Sequence, residues 1–300
     1  MTSISEEREA RLAALPLTES GPRPGFAAGT VQQIRDIWAH RELLDMLVRR
    51  ELKARYKDST LGFVWSLMRP LALLLIYWLA LGKFLGAARS IPDFAVFIYT
   101  GLTAWGLFSE IVTAGTGSIV ANNGLIKKVY LPREIFPLSS VGSAIFNFGI
   151  QLGILLVATA ALSEIPTGAR WGYLPLALAV ILVIGTAWGI FLSAVNVYLR
   201  DVQYLVEIVI MIAFWTSPIV YSWALVSGEL SPALQQVYLA NPITLAIIGF
   251  QQTFWVGGDG QPVPPHLTEG LLVWFVIGLV MLWLAQRVFV RLQGNFAQEL

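Results

Sequence analysis

A chain of 300 residues with 56% hydrophobic and 13% charged residues departs from an ordinary soluble domain, which has about 45–50% apolar and about 25% charged residues. Its mean hydropathy of +0.67, with 11 Trp, 16 Phe and 9 Tyr, leaves more apolar surface than one soluble core hides, so most of it must face lipid or membrane-embedded protein. A net charge of +1 says nothing about nucleic acid, since the 20 basic residues matter through where they lie, and zero cysteines exclude disulfides, thiol catalysis and Cys-built metal sites.

Residues 1–33 carry Glu6, Glu7, Arg8, Glu9 and Arg11, then a Pro/Gly-rich stretch, without the apolar core and small-residue cleavage site of a signal peptide. They read as a flexible cytoplasmic tail. From 34 to 57 the pattern predicts an amphipathic helix. Ile34, Ile37, Trp38, Leu44, Leu47, Val48 and Leu52 recur at three- and four-residue steps, opposite Arg35, Asp36, Arg49, Arg50, Lys53 and Lys57. Such a helix lies in the headgroup plane. Arg49, Lys53 and Lys57, at i, i+4, i+8, form a basic stripe that repels itself unless an anion neutralises it. Anionic lipid and the phosphates of a lipid-linked substrate both fit, and the two are compatible.

A span needs about 20 predominantly apolar residues. Six stretches qualify: 61–86, 94–120, 135–162, 171–198, 202–221 and 271–290. A seventh, 243–256, is too short to cross and reads as re-entrant or interfacial. Placing both termini in the cytoplasm puts seventeen Lys and Arg residues inside, leaving Lys83, Arg89 and Arg170 outside, a strong positive-inside bias. The predicted fold is thus an all-α integral membrane protein of the inner membrane, with six transmembrane helices in residues 58–300, an N-terminal amphipathic interfacial helix and re-entrant helices in 222–265 between spans 5 and 6.

Charges inside the apolar zone are functional candidates by default. Arg69, on one stripe with Trp65, either meets a substrate anion or snorkels to the headgroups. Glu110 sits mid-span 2, where an unpaired carboxylate is costly; it pairs with Arg69, hydrogen-bonds within the bundle or faces an aqueous cavity, and a structural partner is favoured. Glu207 falls near an interface. Gly82/Gly86, Gly149/Gly153 and Gly185/Gly189 permit close helix contacts without proving a dimer face. Pro218 ends or kinks span 5, Ser231-Pro232 opens a short helix, and Asn241-Pro242 breaks the chain before an apolar hairpin.

The chain has no GxxxxGK[ST] phosphate loop and only two histidines, His40 and His266, so neither ATP hydrolysis by that route nor a His-built metal site is expected. A membrane-bound enzyme is disfavoured. Transport remains, driven by a partner or a gradient.

The run Arg50-Glu51-Leu52-Lys53-Ala54-Arg55-Tyr56-Lys57-Asp58-Ser59-Thr60-Leu61-Gly62-Phe63-Val64-Trp65, followed by Arg69-Pro70-Leu71, resembles the entry to membrane subunits of ABC-2-type polysaccharide exporters. So does Lys127-Lys128-Val129-Tyr130-Leu131-Pro132-Arg133-Glu134-Ile135-Phe136-Pro137-Leu138, and Ser217-Pro218-Ile219-Val220-Tyr221, Asn241-Pro242 and Asn295-Phe296-Ala297 complete the set. The resemblance implies a non-enzymatic permease that exports O-antigen, teichoic acid, capsule or galactan chains on a polyprenyl diphosphate. It further implies a homodimer working with two copies of a separate ATPase, which holds the ATP and Mg, and no cofactor in this chain.

Carried onto this sequence, 34–57 is a gate helix whose Arg49, Lys53 and Lys57, with Arg69, meet substrate phosphate. Spans 1 and 5 line the channel, with Trp65, Tyr77, Phe214, Trp215 and Tyr221 offering faces to sugar rings, although Trp and Tyr also populate interfacial belts. Coupling to the ATPase falls to Asn122, Lys127, Lys128, Tyr130 and Arg133, with Arg200 and Asp201 as a second contact. Residues 222–265 form an outer gate. An ABC-2 permease for lipids or drugs and a gradient-driven lipid-glycan flippase are the alternatives.

Overall fold

The computed structural model describes residues 26–56, 64–128, 131–162 and 165–300, and every regular element among them is a helix. Residues up to Ala39 and residues from His40 onward form two separate units. The first holds α1, Phe26–Ala39, on which Ile34 and Trp38 are 63% and 70% exposed.

The single helix predicted over 34–57 is two. α1 starts ahead of Ile34, inside the predicted tail, and a turn at His40 precedes α2, Arg41–Tyr56. The charges explain the restart. Glu42 lies in the first turn of α2 and Lys53 and Arg55 in its last, the order that complements a helix dipole. Lys57 lies outside the described residues.

The next helix, α3 (Val64–Tyr77), contains Pro70 and runs on into a π-helical segment, Trp78–Phe84. Trp65 and Arg69 lie on α3; their side chains are outside the description. Then come α4 (Phe94–Ala121), the short α5 (Asn123–Ile126), α6 (Ile135–Leu162), α7 (Tyr173–Tyr198), α8 (Val202–Trp215), α9 (Trp223–Glu229), α10 (Pro232–Leu239), α11 (Pro242–Phe254), α12 (Leu267–Leu292) and α13 (Phe296–Glu299).

Among the described residues, four helical stretches are long and apolar enough to cross a membrane: Phe94–Ala121, Ile135–Leu162, Gly168–Tyr198 and Leu267–Glu299. Counting the pair α10 and α11, bent by 88°, as one span makes five. The predicted spans over 61–86 and 202–221 are where the count differs, with shorter apolar helices at Pro70–Phe84 and Val202–Trp215. α8 has 14 residues, about 21 Å of helix, against a hydrocarbon core of about 30 Å. It stops at Trp215 because Pro218 disfavours helical backbone in the residue before it. Thr216 and Ser217 turn their hydroxyls back onto Ala213 O at 3.2 and 2.8 Å. Gln251 Nε2 on α11 donates to Pro218 O at 2.6 Å and fastens the break.

The apolar stretch after Asn241-Pro242 is one helix, not a hairpin. Asn241 Oδ1 accepts from Ile243 N at 3.0 Å and caps it, whereas Ser231 makes no side-chain cap bond ahead of Pro232. Residues from Ile243 to Phe254 are almost all buried, which accounts for their all-round apolarity.

Packing is densest among α4, α6, α7, α11 and α12, with α2 laid against α6. Of the three small-residue pairs, Gly185/Gly189 makes a helix contact within the chain, and a Cβ at Gly149 or Gly153 would meet nothing within 4 Å. A Cβ built on Gly115 would lie 2.9 Å from Gly189 Cα, and backbone cannot step aside as a side chain can. Gly115→Ala is therefore expected to cost about 1–3 kcal/mol, the usual range for overpacking, and to lower the melting temperature in detergent. Gly149→Ala should leave it unchanged or slightly raised.

Contacts define two ends. At one, Tyr198 donates to Leu292 O at 2.7 Å and the Arg133 guanidinium lies 5.7 Å from the Phe296 ring centroid. At the other, Trp255 Nε1 donates to Pro92 O at 2.7 Å and Arg170 pairs with Asp259.

Candidate functional site

α2 reaches the bundle through its charged residues as well as its leucines. Leu47 is 4% exposed and packs in a cluster with Ile119, Phe136 and Phe289. Around it, three charged side chains turn inward. Arg50 donates to Asn122 Oδ1 at the end of α4. The Glu51 carboxylate accepts from Ser139 and Ser143 of α6 at 2.9 and 2.6 Å. Arg55 Nη1 meets Glu110 Oε1 at 2.6 Å. The outward face keeps Lys53 exposed and Arg49 bound at 2.7 Å to Asp45 one turn back, so the predicted basic stripe is partly neutralised from within its own helix.

Glu110 thus has a partner in Arg55; the side chain of Arg69, the partner considered from the sequence, lies outside the described residues. Asn147 Nδ2 also donates to Glu110 Oε1, at 2.7 Å. The ion pair lies at one end of a cavity of about 860 Å³ between α2, α3, α4, α6 and α8. Beyond the pair, the walls carry Gln151, Ser109 and Thr113, then Trp105, Phe214, Tyr77 and Tyr99. Tyr77 stacks on Phe214 with centroids 6.1 Å apart, and Trp105 meets Phe214 edge-on at 5.9 Å. The volume suits a ligand pocket, for which about 300–1,000 Å³ is usual.

Tyr77 and Phe214 line this cavity. Trp215 does not line it; its ring is 52% exposed on an apolar face with Tyr204, Ile208 and Ile212. Tyr221 folds back, donating to Trp215 O at 3.1 Å, and accepts from Tyr238 at 3.4 Å. Trp78 borders a separate, apolar hollow and is covered by Lys83, whose Nζ is 4.4 Å from the ring centroid.

The predicted coupling residues split. Lys127 and Lys128 are exposed at the end of α5, and Arg200 and Asp201 are exposed in the turn before α8. Asn122 is held by Arg50, Arg133 lies against Phe296, and Tyr130 is outside the described residues. No group of three His, Cys, Asp or Glu able to hold a metal occurs among the described residues.

The ABC-2 type transporter family matches residues 42–255, from the first turn of α2 through the whole of α11. The chain belongs to the ABC-2 type transporter family. Over 272 residues it is 29% identical to an O-antigen export system permease protein, RfbA, of Myxococcus xanthus, covering 90% of this chain and 100% of that one. A Klebsiella pneumoniae protein of the same name is 28% identical over 261 residues, 86% of this chain and 95% of its own. The polysialic acid transport protein KpsM of Escherichia coli is 33% identical over 100 residues, 33% of this chain and 36% of that one. The ABC-2 family region takes in α2 and the cavity, and excludes α1 and α12.

Proposed function

We propose that this chain is the permease subunit of an exporter that moves a polysaccharide, carried on a polyprenyl diphosphate, across the cytoplasmic membrane. A separate ATPase, in two copies, drives a homodimer of the permease. The observation that carries this reading is the similarity to O-antigen export permeases along their whole length. In the same reading the chain crosses six times with both termini in the cytoplasm. α3 with its π-helical extension is the first span, and α8 with the turn after it the fifth. α9 to α11 form a re-entrant outer gate. Arg49, Lys53, Lys57 and Arg69 attract substrate phosphate, and exposed Lys127 and Lys128 dock the ATPase.

The apolar face of α8, exposed at Tyr204, Leu205, Ile208, Val209 and Ile212, supports contact with lipid or a second copy, because contiguous exposed apolar patches mark interfaces. A gradient-driven flippase would need Glu110 as a proton relay. Its engagement with both Arg55 and Asn147, and the absence of any other acid or histidine among the described lining residues, favour the ATP-driven reading.

Deleting the gene tests the proposal. Glycan on its polyprenyl carrier should accumulate in the cytoplasm and disappear from the cell surface, with the inactive ATPase mutant giving the same phenotype. Unchanged surface glycan would sink it, and loss of a lipid or drug export phenotype instead would select the other branch of the family.

A further inference from the structure

The segment that follows α12 is held more tightly than its length explains. A 3-10 turn, Gln293–Asn295, leads into α13, Phe296–Glu299, and a four-residue helix has no stability of its own. Phe296 is nevertheless 0% exposed. Its ring meets Phe289 of α12 and Tyr198 of α7 edge to face, with centroids 5.4 and 6.1 Å apart, and the Arg133 guanidinium lies 5.7 Å from its centre. Tyr198 donates to Leu292 O, which fixes the point where the chain turns off α12. Ile126 of α5 belongs to the same apolar cluster, and Leu125 and Leu300 pack against it.

These contacts converge on the exposed charges at this end of the bundle. Ile126 is followed at once by Lys127 and Lys128, and Tyr198 lies two residues before Arg200. Arg133 precedes α6 and is half-buried, whereas Lys127, Lys128, Arg200 and Asp201 are exposed. Phe296 therefore joins the two stretches of chain that present exposed charge here, and the attraction between a guanidinium and an aromatic face turns Arg133 towards that junction.

We infer that residues 293–300 are a strut that sets the position of the ATPase-docking surface, with Phe296 as the positioning residue and Arg133 acting through Phe296 rather than on the ATPase. The inference rests on the reading of Lys127 and Lys128 as the docking contact. Both lysines follow a helix of only four residues, α5, which cannot by itself hold them in register with Arg200 and Asp201. The buried ring supplies the brace. A surface ordered before its partner arrives avoids the cost of ordering on binding, so the strut governs how tightly the ATPase is held and leaves the hydrolysis rate of the assembled complex alone.

Titrating the ATPase subunit onto the purified full-length chain in nanodiscs, followed by complex formation, ATP hydrolysis and amide exchange, tests this. Phe296→Leu keeps most of the apolar volume and removes the ring face. It should raise the ATPase concentration at half-maximal complex formation about two- to thirtyfold, the range for a lost cation–π contact, with the hydrolysis rate of the formed complex unchanged. Arg133→Gln should do the same and Arg133→Lys should recover most of the loss. Phe296→Leu combined with Arg133→Gln should lose no more than either alone, because both remove one contact. In the chain without its ATPase, Arg133→Gln should accelerate exchange in 293–300 and Phe296→Leu in 123–128, while exchange in 97–112 stays as in the wild type. Should Phe296→Leu not fold, the affinity and exchange of Arg133→Gln, set against Arg133→Lys, decide alone.

Wild-type affinity of Phe296→Leu, additive losses in the combined variant, or unchanged exchange in 293–300 on Arg133→Gln would each overturn the strut. If Lys127→Glu with Lys128→Glu blocks the complex and Phe296→Leu does not, the strut falls and the docking reading stands. If the charge-reversed pair binds the ATPase normally, the docking reading itself falls.

Discussion

Replacing Lys127 and Lys128 together with Glu is expected to abolish export and to release the ATPase subunit. Both side chains are exposed, whereas the short helix before them is anchored by Ile126, 7% exposed, and by Asn122, which donates to Ser118 O at 2.8 Å and accepts from Arg50. The substitution thus alters a presented surface without disturbing the segment that presents it. Reversing two charges at a docking surface replaces attraction with like-charge juxtaposition, which costs several kcal/mol, more than a hundredfold in affinity. Co-purification of the two subunits from membranes is the measurement. A normal complex with normal ATPase activity would remove Lys127 and Lys128 from the interface.

Glu51→Ala is expected to have the second-largest effect, by loosening α2 from α6. The carboxylate takes hydrogen bonds from both Ser139 and Ser143. Neither hydroxyl is stranded by its loss, because Ser139 also reaches Phe136 O at 2.8 Å and Ser143 reaches Ser139 O at 3.1 Å. The cost is therefore the net worth of bonds to a charged group, about 1.5–3 kcal/mol, without an added orphan penalty. Leu47 remains packed, so α2 should open locally while the bundle stays folded. Amide exchange across 41–56 should accelerate roughly ten- to hundredfold and export should fall. Glu51→Gln should recover part of both. Unchanged exchange in the Ala variant would show that the leucines alone hold the helix.

Arg50 joins α2 to Asn122, one turn before Lys127 and Lys128, while Glu51 and Arg55 join it to α6 and Glu110. The segment that carries Lys127 and Lys128 therefore has a direct polar connection to the helix that contributes Arg55 to the cavity. The two substitutions act at opposite ends of this connection.

Much of this was legible in the sequence, and what was not has identifiable causes. The apolar stretches located α4, α6 and α7 to within two residues and α12 to within four, because a continuous apolar run leaves little choice of element. They failed at α8, where Pro218 and two hydroxyls end the helix before the apolar run does. They failed also at 34–57, where the apolar face continues through His40 but the charge order restarts.

Glu110 stood out as a charge needing an explanation, and its partner did not. Arg55 counted towards the positive-inside bias, and its approach to Glu110 depends on how α2 packs on α6, which periodicity does not specify. One signal was readable and unused. Ser139, Ser143, Asn147 and Gln151 follow one another every four residues along a span without formal charge, so one face of α6 is polar from Ser139 to Gln151. Counting only charges hid the face that receives Glu51 and Glu110.

The most direct measurement of the central claim is reconstitution. The purified chain and its ATPase, placed in proteoliposomes with a polyprenyl-diphosphate-linked oligosaccharide on the ATPase side, should deliver that oligosaccharide to the opposite face only when ATP is supplied. Delivery by the chain alone under an ion gradient, or no delivery with both subunits and ATP present, would contradict it.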